Sequence, residues 1–241
     1  MKVTRDKAGE KKVFQQIKEY LAKRPRSDKL WHVSDLLYPR QTFWRKIKPL
    51  PVTDDQALYF SLGHGHHGIL EAMLGPKKKD GRSDAGEFEE DGILFSPDLR
   101  FKDGPLEIKT SRAMYIKADK EDPAKVYEGY LKQLGSYNAL MSAPKGKLLV
   151  LFLNAVKDGL DKWKKKPQLR LYKVAFEKAE LKKITAWLLK RSKDLTAAIK
   201  KKKVGALPLC QEWMCRNDCP YFKPCKPWLL EPNRRHAQDK K

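Results

Sequence analysis

Cysteine is scarce in this chain and confined to one end of it. All four cysteines follow residue 209, so disulfides and thiolate metal sites are excluded from the rest of the sequence. Long apolar runs are also missing: the longest, which begins at Leu148, is far shorter than the roughly 20 residues of a membrane-spanning helix. The charged opening MKVTRDKAGEKK has no apolar signal core. These absences predict a soluble, cytoplasmic protein without a membrane partner.

Acidic residues are few relative to basic ones. The chain has 52 Lys and Arg against 30 Asp and Glu, a net charge of +22. Such an excess opposes compaction and favours a polyanionic partner, of which nucleic acid is the natural candidate. A basic proteome, thermophilic adaptation or ribosome association would explain the charge alone.

The basic excess is concentrated in a predicted amphipathic helix. Residues 177–203 hold ten Lys or Arg and three Asp or Glu, around an apolar stripe that begins at Leu181. One face of this helix is expected to pack and the other to form a basic ridge that contacts DNA. The ridge residues we select are Lys182, Lys183, Lys190 and Arg191. A purely solvated helix face is the alternative.

The most informative segment is GILFSPDLRFKDGPLEIK, residues 92–109. It predicts a β-hairpin in which Asp103-Gly104 turns the chain. Side chains two apart on a strand point the same way, so Glu107 and Lys109 should share a face, with Asp98 at the end of the neighbouring strand. Two carboxylates beside an ammonium suit a divalent cation that activates water against a phosphodiester. The alternative is an ordinary surface hairpin whose Glu and Lys side chains are simply exposed to solvent.

Periodicity around this hairpin predicts an α/β chain. Helices are expected over residues 8–23, 55–74 and 127–141, and strands over 148–154 and 168–176. Ser34 or Asp35 is expected to cap a short helix, residues 38–53 to be irregular, and residues 75–91 to form a loop. The order helix, hairpin, helix, strand is typical of a central mixed sheet flanked by helices.

Four short motifs follow one another along the chain: Gly63-x-x-x-His67-x-x-Leu70-Glu71, Pro97-Asp98, Glu107-x-Lys109 and Gln133-x-x-x-Tyr137. In this order they resemble the motif series of the RecB-like branch of the PD-(D/E)xK nuclease superfamily. The resemblance covers about residues 30–176. It implies a restriction-endonuclease-like core within residues 30–204, preceded by a helical extension (1–29) and followed by a cysteine-rich tail (205–241).

The resemblance also implies a site and an activity. Asp98, Glu107 and the Ile108 carbonyl would bind Mg²⁺ or Mn²⁺ together with His67, whose imidazole suits Mn²⁺. Lys109 would orient water or neutralise charge, Gln133 would hold the metal-bound water shell or the DNA backbone, and Tyr137 would position the substrate strand.

The implied protein is a metal-dependent deoxyribonuclease. It would be an exonuclease that acts on single-stranded DNA or DNA ends, alongside partners in repair, recombination, phage replication or CRISPR adaptation. His64 and His66 fit the motif register less well than His67. A non-catalytic nucleic-acid-binding accessory protein with a structural zinc tail is the alternative.

The cysteines of the tail have the spacing Cys210-x4-Cys215-x3-Cys219-x5-Cys225. A segment this short and proline-containing cannot build its own hydrophobic core, so it needs a cross-link such as a bound metal centre. Four thiolates suit either zinc or an iron–sulfur cluster. Similarity to iron–sulfur CRISPR-associated exonucleases implies a [4Fe–4S] cluster. Those proteins take one ligand from a segment like Ser34–Arg40, which has no cysteine here, so Cys210 would supply it. Two disulfides or four unrelated thiols are the alternatives.

Overall fold

The computed structural model describes residues 6–22, 29–75, 86–111, 119–153, 167–210 and 219–225. The chain divides into two compact units, one of residues 1–33 and 52–188 and the other of residues 34–51 and 189–241. The predicted alternation of helices and strands is confirmed. Among the described residues, no helix has the length and apolar character needed to span a membrane.

A mixed four-stranded sheet forms the centre of the first unit. Its strands are β4 (Leu99–Phe101), β5 (Gly104–Ser111), β6 (Lys145–Phe152) and β7 (Gln168–Ala175), in that spatial order. The pairs β4–β5 and β6–β7 are antiparallel, whereas β5 and β6 are parallel. A parallel pair needs a crossover connection, and helices α5 (Pro123–Val126) and α6 (Glu128–Leu140) lie in that connection.

The predicted hairpin is confirmed, with its turn one residue earlier than expected. Phe101 pairs with Gly104, so Lys102 and Asp103 form the turn and Gly104 opens β5. Gly104 has a φ of 130°, and a Cβ there would lie 1.9 Å from the Lys145 carbonyl oxygen. Only glycine fits this close approach of β5 to β6, which fixes the strand that carries Glu107.

A second, three-stranded sheet replaces part of the single sheet that the sequence predicted. It consists of β1 (Trp31–His32), β3 (Ile93–Phe95) and β2 (Phe88–Glu90), with β3 central. The prediction of a loop over 75–91 was wrong for β2. Asp91 and Gly92, both with positive φ, connect β2 to β3, as expected of an Asp-Gly hairpin turn.

Helices pack on the sheet through separate apolar clusters. Helix α4 (Asp54–Leu74) begins with a Thr53/Gln56 capping box, and its Leu70 packs against a cluster of buried sheet residues: Leu99, Leu106, Ile108 and Leu149. Helix α6 contributes Leu134 to another cluster with Leu148, Val150 and Phe152. Helix α1 (Lys7–Ala22) contacts α4. The site residues therefore lie on elements held by packing.

Two short helices correct the sequence interpretation near residue 40. Helix α2 (Val33–Leu37) begins at Val33, so neither Ser34 nor Asp35 precedes it as a cap. Residues Pro39–Ile47 form helix α3 instead of an irregular stretch, because Pro39 lies in the first turn, where its missing N–H costs nothing. In the second unit Arg40 donates to the Leu207 carbonyl over 2.6 Å, which joins α3 to the start of the tail.

Helix α7 (Lys178–Lys201) confirms the predicted amphipathic helix. Leu181, Leu188 and Leu195 are buried along its apolar stripe, whereas Lys182, Lys183 and Lys190 are exposed. Arg191 is half-buried, and burial lowers its pKa against the opposing charges of Asp194 and Cys210. Three of the four ridge residues therefore face solvent.

Candidate active site

Asp98 is held by a backbone bond from the neighbouring strand. It directly precedes β4, and its Oδ2 accepts a hydrogen bond from the Ile108 amide over 2.6 Å. Ile108 itself is fully buried on β5, so this amide is a fixed donor. Asp98 and the Ile108 backbone, which the sequence placed in one site, are thus brought together.

Glu107 and Lys109 lie side by side on β5, as the strand period predicts. The Lys109 ammonium contacts Glu107 Oε1, and the Glu107 side chain is 1 % exposed. Within the part of the chain that the structure describes, the second carboxylate oxygen, Oε2, is buried without a hydrogen-bond partner. A buried carboxylate oxygen in this state is costly, and a cation or a bound water would satisfy it.

The pKa values of this pair follow from its burial. Burial raises the pKa of Glu107 to about 7; the Lys109 ammonium opposes this rise and the Asp98 carboxylate adds to it. Burial lowers the pKa of Lys109, but the charges of Glu107 and Asp98 outweigh it and the net shift is upward. Lys109 therefore carries a positive charge at neutral pH, whereas Glu107 titrates there.

Helix α4 brings two further ligand-type side chains to Asp98. His67 Nδ1 lies 3.5 Å from Asp98 Oδ1. Glu71 follows His67 by one helical turn, and each of the three residues has a ligand atom within 4.8 Å of the others. Glu71 belongs to the motif around His67 but was not selected as a site residue from the sequence. Its i, i+4 spacing from His67 is the signal that could have identified it.

The neighbouring histidines behave differently. His66 is within 2.7 Å of the Leu62 carbonyl of its own helix, an arrangement that occupies its Nδ1. His64 lines the same cavity as His67 but is not part of the group with Asp98. His67 combines the motif register with contact to a site carboxylate, because its Nδ1 lies beside Asp98 Oδ1.

Helix α6 packs on the face of β5 that carries Glu107 and Lys109. Gln133 Nε2 donates to the Tyr137 hydroxyl over 2.7 Å, so the two residues of the Gln-x-x-x-Tyr motif are bonded. Tyr137 is 1 % exposed, and burial, followed by the Glu107 charge, raises its pKa well above the usual value. A side chain this buried exposes almost no surface to an external ligand. The Tyr137 hydroxyl thus holds the Gln133 side chain from the interior of the fold.

Tyr130 is a neighbour of the site that the sequence did not indicate. The Lys109 ammonium lies 5.8 Å from the centre of its ring, within cation–π range. Tyr130 precedes Gln133 by three residues on α6 and so shares its side of the helix. Lys109 is thus held between a carboxylate and an aromatic ring.

A cavity of about 900 Å³ opens beside His67, Glu71 and Asp98. Helix α1 contributes to its wall, as do the residues that precede Asp98. The lining residues are Val13, Gln16, Ile17, Tyr20, Ser61, His64, Gly65, His67, Gly68, Glu71, Gly86, Ser96, Pro97 and Asp98. The metal-ligand group therefore faces a space large enough for a small ligand.

The cysteine cluster is described in part, because Cys215 lies outside the described residues. Cys210, Cys219 and Cys225 carry no disulfide among themselves. Trp44 Nε1 donates to Cys225 Sγ over 2.8 Å, and Cys225 is buried. Burial raises the pKa of Cys219, while a backbone hydrogen bond at Tyr221 lowers it and the nearby Cys225 raises it further. Helix α3 thus contacts Cys225 through the Trp44 side chain.

No protein-family model matches this chain, and no curated protein matches it. Among solved structures, the crystal structure of SSO0001 is similar over 90 % of this chain and 95 % of its own, with a TM-score of 0.57 and 20 % identity. This likeness shows a shared α/β fold. A phage-related exonuclease from Haemophilus somnus 129PT has a TM-score of 0.42 at 11 % identity and covers 71 % of this chain and 83 % of its own.

An alkaline exonuclease (LHK-Exo) from Laribacter hongkongensis has a TM-score of 0.38 at 14 % identity, over 83 % of this chain and 86 % of that one.

Proposed function

We propose that this protein is a divalent-metal-dependent deoxyribonuclease with a PD-(D/E)xK-type core. The observation that carries the proposal is Glu107, a buried carboxylate with one oxygen bound to Lys109 and the other unpartnered among the described residues. A protein that merely binds DNA has no use for buried carboxylates, because they repel phosphates. Beside an ammonium and a second carboxylate, they suit phosphodiester hydrolysis.

The donor set fits a hard divalent cation. Asp98, Glu107 and Glu71 offer carboxylate oxygens and His67 offers an imidazole nitrogen, a combination that suits Mn²⁺ and Mg²⁺. Asp98, Glu107, His67 and the Ile108 carbonyl would hold the ion, and we add Glu71 as a further ligand. When bound, the ion supplies a water of lowered pKa and neutralises charge on the phosphate.

The protein's own groups do the remaining work. Lys109, charged and held by Glu107 and Tyr130, presents an ammonium to the phosphate oxygens and to the attacking water. Gln133, held by Tyr137, orients water or the DNA backbone beside it. The Ile108 amide fixes one oxygen of Asp98 and leaves the other toward His67.

DNA is the proposed substrate, as a single strand or at ends. The net charge of +22 supports a polyanion, and the site chemistry supports a phosphodiester. Anaerobically purified protein should degrade labelled single-stranded DNA with Mn²⁺ or Mg²⁺ and stop on chelation. Folded protein that binds DNA but cleaves none with either ion would instead be the non-catalytic accessory protein.

Reversing charges on the basic ridge tests its contact with DNA. We expect Lys182→Glu, Lys183→Glu and Lys190→Glu together to weaken binding and to flatten its salt dependence by about one unit of slope per lost phosphate contact. Three exposed lysines elsewhere, Lys120, Lys125 and Lys173, provide a matched triple variant. Equal salt slopes for the two triple variants would mean that the ridge is a solvated helix face without contact to DNA. We expect Arg191 to contribute less to binding than the three lysines, because it is half-buried.

We further propose that the four cysteines hold one metal centre, a [4Fe–4S] cluster in preference to Zn²⁺. The Trp44 N–H that points at Cys225 sulfur supports this, because such donors stabilise metal-bound thiolates. When bound, the centre would fix the tail; the chemistry at Glu107 does not require it.

Cysteine substitutions test this centre. Cys215→Ser or Cys219→Ser should lower the melting temperature and bleach any absorption near roughly 400 nm, with a smaller loss of cleavage per folded molecule. Cys210→Ser shows whether this residue is the fourth ligand. About four irons per chain indicate the cluster, and one zinc in colourless protein indicates the alternative. If the purified protein contains neither metal and the cysteine variants melt like the parent, the cysteines do not hold a stabilising metal centre.

A further inference from the structure

One side of helix α1 faces the active-site cavity with an apolar stripe. Val13, Gln16, Ile17 and Tyr20 line the cavity, and their spacing of i, i+3, i+4 and i+7 is that of one helical face. Val13 is 54 % exposed and Tyr20 is 62 % exposed. These side chains thus present apolar surface to an open space instead of burying it, which indicates a ligand-binding face.

The position of this stripe is fixed by α4. Helix α1 contacts α4, and Lys18 forms an ion pair with Asp54 in the first turn of that helix. Since α4 also carries His67 and Glu71, the stripe and the metal-ligand group are attached to one framework. The segment that the sequence assigned to an extension is therefore part of the site.

The two walls of the cavity differ in chemistry. One carries His64, His67, Glu71 and Asp98, and the other carries an aromatic ring, two aliphatic side chains and an amide. A nucleotide has the same division, with a phosphate at one end and the apolar faces of a base at the other. In a duplex those faces are stacked, whereas an unpaired nucleotide exposes them to aromatic side chains.

We propose that α1 is the base-binding wall of the substrate groove, and that Tyr20 stacks on an unpaired base of single-stranded DNA while the phosphate lies toward His67 and Asp98. The volume of about 900 Å³ falls within the range of small-ligand sites and suits a short unpaired segment. Exposed Lys11 and Lys12 on the same helix give the backbone complementary charge. This inference rests on the proposed function and names the form of its substrate.

Binding of a labelled thymidine 12-mer, measured by fluorescence anisotropy in Ca²⁺ without cleavage, tests the wall. Tyr20→Ala should weaken binding about tenfold, within the range for one lost stacked base, and Tyr20→Phe should bind like the parent. Tyr59→Ala is the matched control, because Tyr59 is 49 % exposed on α4 and does not line the cavity. In turnover on the same strand, Tyr20→Ala should raise KM more than it lowers kcat.

An abasic probe separates stacking from a structural effect. If Tyr20 stacks on a base, removing the bases at the strand end should weaken binding by the parent protein. The same removal should change the affinity of Tyr20→Ala very little, because that variant has already lost the stacking contact. Binding by Tyr20→Ala that matches the parent, or an equal loss on intact and abasic strands, would overturn the proposal. Cleavage that persists in either case leaves the nuclease assignment standing, and Tyr20-dependent binding without cleavage would support the wall and refute the nuclease.

Discussion

Lys109→Ala is expected to reduce cleavage by about 10²–10³-fold while the protein still binds its metal ion. The ammonium is not a ligand, but it is the charged donor closest to the carboxylate pair, and removing one such donor in a shielded site costs rate on this scale. Metal binding is measured by calorimetry with Mn²⁺ and cleavage by single-turnover assays on labelled DNA.

The control for this variant is Lys147→Ala. Lys147 is also a strand lysine in an ion pair, with Asp103 over 2.8 Å, and it lies on β6 outside the site. We expect that variant to cleave like the parent. If Lys109→Ala cleaves as fast as Lys147→Ala, the site is assigned incorrectly.

Substitution of the carboxylates should differ from Lys109→Ala, because metal binding and cleavage should be lost together. Glu107→Gln and Asp98→Asn remove a ligand charge from the ion while keeping the shape of the side chain. Glu71→Gln tests the residue that the structure adds: a weaker metal affinity would establish it as a ligand. An unchanged affinity would leave His67, Asp98 and Glu107 as the coordinating side chains.

The stability of the metal-free protein is expected to fall as pH rises from about 5 to about 8. Burial raises the pKa of Glu107 to about 7, from an ordinary value of 4.5. Between these values the folded state holds a proton that the unfolded state has released. The free energy of unfolding contributed by this group is therefore fully present below about pH 4.5 and is lost as pH rises through 7, a change on the order of 3 kcal/mol.

Metal ions should reverse this loss. A cation replaces the proton on Glu107, so added Mn²⁺ is expected to raise the melting temperature more at about pH 8 than at about pH 6, where the proton competes. Thermal melts across this pH range, with and without Mn²⁺, measure both effects. Glu107→Gln has no carboxyl group to titrate and should have a flatter pH profile. Identical profiles for this variant and the parent would mean that Glu107 is not the titrating group.

The sequence alone determined the parts of the site that depend on local geometry. The strand period placed Glu107 and Lys109 together, and the helix period placed Gln133 beside Tyr137; both pairs are in contact. These predictions succeed because a repeat of two or 3.6 residues fixes which side chains share a face, whatever the rest of the chain does. The glycine at 104 likewise marked the hairpin, although it opens the strand instead of forming the turn.

Other features were decided by contacts between residues far apart in the sequence. Burial of Glu107, and with it the rise in its pKa, comes from packing across β5, which periodicity does not measure. The pairing of β1 with β3 joins segments about 60 residues apart, and α1 became a wall of the cavity only because it contacts α4. Tyr137 could not be recognised as buried for the same reason. Local pattern specifies which side chains share a face, whereas tertiary packing decides which of those faces lose water and meet one another.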